Sequence, residues 1–294
     1  MRFLPRAHTA LVLAALLTVV PSTDAQQSRS GPTRPNIVLI FPDNLGWGEV
    51  GAYGSVRGVP TPNIDRIAAQ GIRLDNFNVE FSCTVSRAAL LIGRYAIRSG
   101  ATQPTGFTLW ETTIAEALRA QGYATALYGK WHLGGFDWDK GRSPIDQGFD
   151  DWYGIPNTSN ESQWMQAPEL RRAPNDTSWI WEQQAGEAAH HVKVFDTDTR
   201  RLVDREAAQR GVAFIEKNAR ERRPFFLYYP MTQIHFPTLA HPDFAGKTGT
   251  GHIPRGQKLD GIVHELDLFP TIAAAVGADL VPNDRPIDGV NQLP

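Results

Sequence analysis

Asn36-Ile37-Val38-Leu39-Ile40-Phe41, halted by Pro42 and followed by Asp43-Asn44, is the stretch that decides the fold. An unbroken apolar, β-branched run of this length, cut off by proline, is the pattern of a strand buried on both faces of a sheet. Phe225 to Tyr229, stopped by Pro230, repeats it, and Tyr123 to Tyr128 is a third such run. Helix signals lie between them. Thr61 as cap, Pro62 at the first helical position and Gly71 as stop frame a helix through Gln70, with Ile64, Ile67 and Ala68 on one face. A second helix is expected from Ser86 to Ile92, ended by Gly93. A third is expected over Thr112 to Ala120, with Ile114, Ala117 and Leu118 on one side and Gly122 at its end. Arg200 to Asn218 is charged with an apolar stripe of Leu202, Val203, Val212 and Ile215, which reads as a surface helix. Strands and helices alternating in this way predict an α/β sandwich with a large, mostly parallel central sheet flanked by helices. In such sheets ligands collect outside the carboxyl ends of the strands. Asp43, Asn44, Lys130, His132 and His235 all fall just after predicted strands.

Working outward, residues 137 to 192 are rich in Trp, Asp, Asn, Pro and Gln without clear periodicity and are expected to be long surface loops over the top of the sheet. His190-His191 within them has no partner pattern for a metal and reads as a solvated loop pair. At the other end, Arg2, Arg6 and His8 precede the apolar run Ala10 to Val20 and a small residue at Ala25. That pattern predicts a signal peptide over 1–25 and an exported protein, periplasmic or secreted. The apolar run falls short of the roughly 18 residues that span a bilayer, so no membrane span is expected in the mature chain. Residues 26–35 read as a flexible lead-in. With 29 Lys plus Arg against 31 Asp plus Glu over 294 residues, and 41% apolar content, the chain is neither a disordered tail nor a basic nucleic-acid binder. An exported chain with a single cysteine forms no internal disulfide, so Cys83 is either an inert core residue or a group with chemistry of its own.

The segment around that cysteine is Cys83-Thr84-Val85-Ser86-Arg87-Ala88-Ala89-Leu90-Leu91-Ile92-Gly93-Arg94-Tyr95. It resembles the signature of the sulfatase family, of the arylsulfatase type within the alkaline-phosphatase-like superfamily. Pro35 to Ile40, Asp43 to Gly48, Pro60 to Asp65 and Tyr128-Gly129-Lys130-Trp131-His132-Leu133-Gly134 agree with that family in order and spacing. Several motifs together are far more specific than any one. The physics runs alongside. A sulfate ester is anionic and its cleavage asks for fixed cations in a water-poor pocket, which Arg87, Lys130 and His132 supply. A nucleophile just before a helix start sits near free N–H groups and the positive end of the helix dipole.

The resemblance implies that Cys83 is oxidised to formylglycine by a formylglycine-generating enzyme, and that the product attacks the sulfur of a small-molecule or glycan sulfate ester. It implies positioning of that residue by Arg87, a hold on the sulfate by Lys130, base catalysis by His132 and leaving-group protonation by His235. One calcium ion held by Asp43, Asn44 and the residue at 83 is implied as cofactor. The chain departs from the pattern in three places. Asn44 replaces a usual aspartate, Val85 a usual proline, and the later Asp-Asn pair and lysine are absent where the chain passes from Gly249 to His252. An internal deletion and a shortened C-terminus follow from that comparison, leaving an incomplete sandwich with an N-terminal α/β domain over 36–251 and a late remnant over 252–294. Two other functions stay open: an anion-binding protein derived from a sulfatase without turnover, and a phosphatase or phosphodiesterase of the same superfamily, which would need metal-ligand clusters the chain does not show.

Overall fold

The computed structural model describes residues 34–55, 59–102, 105–134, 141–171, 176–245, 263–264, 270, 272–273 and 276–277. The expected signal peptide, nearly all of the lead-in and most of the late remnant lie outside the described residues. The described strands are β1 (Ile37–Ile40), β2 (Phe77–Asn78), β3 (Ala124–Lys130), β4 (Asp151–Ile155), β5 (Trp179–Gln184), β6 (His190–Val194), β7 (Phe225–Tyr229) and β8 (Val263–His264). The helices are α1 (Pro62–Gln70), α2 (Cys83–Ile92), α3 (Ala96–Ser99), α4 (Ile114–Ala120), α5 (Thr197–Arg200) and α6 (Val203–Glu221).

Six strands form the main sheet in the order β1-β7-β3-β4-β5-β6, and β2 pairs with β8 in a small separate one. β1, β7, β3 and β4 run parallel, while β5 and β6 close the far side as antiparallel neighbours. Alternation along the strands divides the core in two. Leu127, Phe226 and Tyr228 face a layer shared with Val85, Leu91, Ile114 and Leu118 of α2 and α4. Ala126, Tyr128 and Leu227 face a layer shared with Val203 and Ala207 of α6. This is the expected mostly parallel sheet with helices on both faces. Ala273 and Val276 of the late segment lie in the first of these layers.

Several local expectations are corrected. β1 is not buried on both faces: Ile37 and Leu39 pack on the core, but Val38 and Ile40 are 46% and 49% exposed. The physical reason is position. Among the described residues β1 is an edge strand, so one neighbour and part of one covering layer are missing. Nor is the stretch 137–192 all loop. β4 lies deep in the sheet, with Trp152, Tyr153 and Ile155 buried, and β5 and β6 extend it. His190-His191 is accordingly on strand β6; both residues are exposed, and His191 stacks on Trp179 at 4.4 Å. Helix α1 has its expected bounds, but the Thr61 side chain does not cap it. Its Oγ1 accepts from the Gly51 N–H and donates to Asp65. The expected helix over Thr112 to Ala120 begins at Ile114, because Thr113 is the N-cap and forms a capping box with Glu116. The apolar stripe of α6 rests on Val203, Ala207 and Gly211, whereas Val212 points to solvent.

Candidate active site

Three loops leave the carboxyl ends of β1, β3 and β7 and meet the N-terminus of α2. The loop after β1 carries Asp43. It is tied to the loop after β7 by two backbone bonds, Asp43 N–H to Gln233 O at 2.9 Å and Ile234 N–H to Asp43 O at 2.6 Å. The two chain segments therefore continue pairing past the end of the sheet, which brings Asp43 and His235 together.

β3 ends in Gly129-Lys130. Gly129 has φ +139, and a Cβ there would lie 2.0 Å from the Pro230 carbonyl, so only glycine lets β3 and the exit from β7 approach this closely. The approach places Lys130, which is fully buried, with its Nζ 2.7 Å from Asp43 Oδ2. α2 begins at Cys83, with Ser82 as N-cap, three residues earlier than the expected start at Ser86. Its Gly93 stop adopts the left-handed conformation as expected. The thiol, partly buried, donates to Asp43 Oδ1 at 3.5 Å. One turn on, Arg87 is buried. It bonds the Lys130 carbonyl at 3.0 Å, reaches Asp43 Oδ2 at 3.5 Å and lies over the Phe41 ring.

The charges are interlocked. Burial would raise the Asp43 carboxyl, but Arg87 and Lys130, helped by His235, outweigh it and hold the group below its ordinary value. Burial and then Arg87 push Lys130 down, with Asp43 resisting. His132 lies well below the ordinary imidazole value because of burial and then the nearby Lys130 and Arg87. Its backbone is left-handed, its N–H donates to the Pro156 carbonyl at 2.8 Å, and its buried Nδ1 has no partner among the described residues. His235 is lowered by burial and then by Lys130. Its Nδ1 is 2.6 Å from the Phe236 carbonyl and its Nε2 is 3.4 Å from Thr158 Oγ1. Both imidazoles are thus neutral at neutral pH.

The structure therefore brings together Asp43, Cys83, Arg87, Lys130, His132 and His235. Asn44 is exposed with φ +66. Sequence reasoning missed the brace behind the site. Arg200, expected on a solvated helix face, is fully buried at the end of α5. It donates to Thr232 Oγ1 at 2.6 Å, Thr232 O at 2.9 Å, Gln233 Oε1 at 3.4 Å and His235 O at 2.9 Å. Asp204 on α6 accepts from the N–H groups of Thr232 and Gln233, both at 2.8 Å, and from Thr232 Oγ1 at 3.0 Å. The opposite charges at i and i+4 were the one available signal.

Six to eight oxygens are what a calcium ion takes. Here the ligating side chains that converge are one carboxylate, one thiol and one imidazole, and the carboxylate already holds two cations. The described residues do not fit calcium.

Comparison with known proteins gives the same direction. The Sulfatase family model matches residues 35–260. Arylsulfatase G of Mus musculus is 35% identical over 243 residues, covering 73% of this chain and 45% of the relative. Arylsulfatase A of Homo sapiens is 36% identical over 255 residues, covering 83% and 48%. The chain thus spans about half the length of the curated relatives it matches. The PsFucS1 sulfatase from Pseudoalteromonas sp. superposes with a TM-score of 0.75 at 24% identity, covering 88% of this chain and 71% of that one, which supports the fold.

Proposed function

The chain belongs to the sulfatase family, and from that premise we propose that it hydrolyses a sulfate ester through a formylglycine derived from Cys83. The observation that carries this is the placement of Cys83 at the first position of α2, against Asp43 and beneath Lys130 and Arg87. First-turn amides of a helix have no intrahelical acceptor, so an oxyanion on residue 83 meets free N–H donors as well as two buried cations.

In this reading a hydroxyl of the hydrated aldehyde attacks sulfur and gives up its proton to Nε2 of the neutral His235, the ester S–O bond breaks, and His235 passes that proton on to the departing alcohol oxygen. His132, neutral and half-buried, then takes the proton of the remaining hydroxyl; the C–O bond to sulfate breaks, sulfate leaves, and the aldehyde re-forms ready for water. Arg87 orients residue 83 and Lys130 grips the sulfate oxygens. The aldehyde requires a formylglycine-generating enzyme as partner, acting on a segment with Val85 where the family has proline. Calcium, the ion the family implies, has too few oxygens among Asp43, Asn44 and residue 83, so no step is assigned to it. A sulfated sugar is the favoured substrate class: a related structure, 27% identical with a TM-score of 0.50 and covering 69% of this chain and 35% of that one, is a complex with D-glucosamine-2-N,6-O-disulfate. Export and the division at about residue 251 belong to the same proposal; among the described residues no helix is long and apolar enough to cross a membrane.

The test is sulfate release from an aryl sulfate by the full chain co-produced with a formylglycine-generating enzyme, with conversion at position 83 verified by peptide mass. Hydrolysis that disappears in Cys83→Ala supports the proposal. A converted aldehyde with no turnover sinks it and leaves the second reading, an anion-binding protein, which the occupation of Asp43 by both cations favours.

A further inference from the structure

The mismatch with calcium leads elsewhere. Asp43, Cys83 and His235 each offer a ligand atom, and these atoms lie within 4.8 Å of one another. A carboxylate oxygen, a thiolate and an imidazole are the donor set of a borderline ion such as zinc, not of a hard one. We infer that the chain with Cys83 unconverted carries a zinc-type site formed by Asp43 Oδ1, Cys83 Sγ and His235 Nε2, with the fourth position open.

Three features fit this. His235 Nδ1 stands 2.6 Å from the Phe236 carbonyl, so it carries the proton and donates it, leaving Nε2 with its lone pair; that second hydrogen bond is the usual companion of a metal-bound imidazole. Lys130 and Arg87 both engage Asp43 Oδ2, while Oδ1 faces the thiol and stays available. The thiol sits at the first position of α2, 3.5 Å from Asp43 Oδ1, so sulfur and carboxylate already face one another. On binding, the Cys83 S–H bond breaks, its proton passes to solvent, and the sulfur–metal bond replaces it. The two cations beside Asp43 weaken affinity for a dication but favour an anion or hydroxide in the fourth position. Oxidation of Cys83 removes the sulfur, so the modified and the metal-bound chain are mutually exclusive states of one site. The inference concerns the thiol form alone and does not depend on turnover.

The test uses the full chain isolated with Cys83 as a free thiol, verified by peptide mass, stripped of metal and titrated with Co2+. A thiolate-to-cobalt charge-transfer band with the d–d absorption of a four-coordinate ion is expected, lost on adding Zn2+ and unaffected by a large excess of Ca2+. Cys83→Ser abolishes the band, His235→Gln and Asp43→Asn weaken binding at least tenfold, and His190→Ala, on the exposed strand β6, leaves it unchanged; circular dichroism checks that each variant is folded. No band, displacement by Ca2+, or undiminished binding in a folded His235→Gln chain overturns the inference. So does an equal loss in His190→Ala.

Discussion

Replacing Arg200 by methionine tests whether the brace behind the sheet sets the geometry of the site. Methionine fills most of the volume, so the change removes the guanidinium with little cavity. Three of its bonds are 2.9 Å or shorter, to Thr232 Oγ1, Thr232 O and His235 O. A hydrogen bond from a charged donor contributes about 1.5–3 kcal/mol, so the three sum to roughly 4.5–9 kcal/mol. Asp204 still holds the Thr232 and Gln233 amides, which keeps the loss at the low end, about 4.5 kcal/mol on these magnitudes. Burial already raises the Asp204 carboxyl, against the Thr232 amide and Arg200, and loss of Arg200 raises it further. Because the same loop presents His235 and pairs with Asp43, the catalytic consequence is separate from stability. A displacement of about 1 Å costs on the order of 100-fold in kcat with KM little changed. Urea unfolding of Arg200→Met against the parent measures the first effect, and steady-state hydrolysis of an aryl sulfate well below the unfolding midpoint measures the second. Arg200→Lys restores part of both, since an ammonium reaches only some of the acceptors. A loss below about 1 kcal/mol refutes the structural argument on the same scale. A full loss of stability with kcat intact refutes the link to His235.

Two further outcomes follow from the charges. Lys130→Met removes the ammonium 2.7 Å from Asp43; breaking a buried pair costs about 3–5 kcal/mol, and Arg87 at 3.5 Å keeps the cost near about 3 kcal/mol. Burial then dominates at Asp43 and its carboxyl rises, so the penalty in urea unfolding shrinks when measured at acid pH; a penalty that is constant across pH argues against the pairing. The histidines give an acid dependence. His132 and His235 are depressed in the folded chain below 6.5, so the unfolded chain binds the extra protons, and stability present above pH 6.5 is lost as pH falls below it. The Asp43 carboxyl, depressed below 3.8, adds a second loss as pH falls through its folded value. In the substrate-free chain the His132 imidazole titrates below pH 6.5, and an NMR titration above that value refutes the depression by burial and its two cationic neighbours.

How much of this was legible depended on whether a feature is local. Phe225 to Tyr229 reads correctly because five apolar residues before a proline have few alternatives, and the end of α2 follows from the lack of a Cβ at Gly93, which adopts φ +67, whereas Gly71 ends α1 at φ −130 without needing that freedom. The burial of β1 does not follow, because Val38 and Ile40 are covered or bare according to which strand lies beside them, and that neighbour is not encoded in the strand. β4 was hidden by Asp151, Trp152 and Gly154, which resemble loop residues. In the sheet, Gly154 has φ +156, and a Cβ there would lie 1.8 Å from the Gly129 carbonyl, so the apparent breaker is what lets β4 pair with β3. At the site, Cys83, Arg87, Lys130 and His132 come from contiguous motifs. Arg200 is tied to residues more than thirty positions away, and its burial depends on the path taken by the loop after β7.

The charge count at the site also bears on which ester it receives. Arg87 and Lys130 contribute two positive charges, Asp43 removes one, and the two depressed histidines add none at neutral pH. The cluster is left with one net positive charge in a setting where Lys130 and Arg87 are almost completely buried. A sulfate ester carries one negative charge and neutralises that excess, whereas a dianionic phosphate monoester leaves one negative charge uncompensated, and an uncompensated charge in a poorly solvated pocket is costly. A hard dication bound at Asp43 would offset this by adding charge, but the described donors do not gather one. The same cations that make the pocket hospitable to a monoanion therefore work against both a calcium ion and a phosphate monoester, and the sulfate reading needs nothing beyond them.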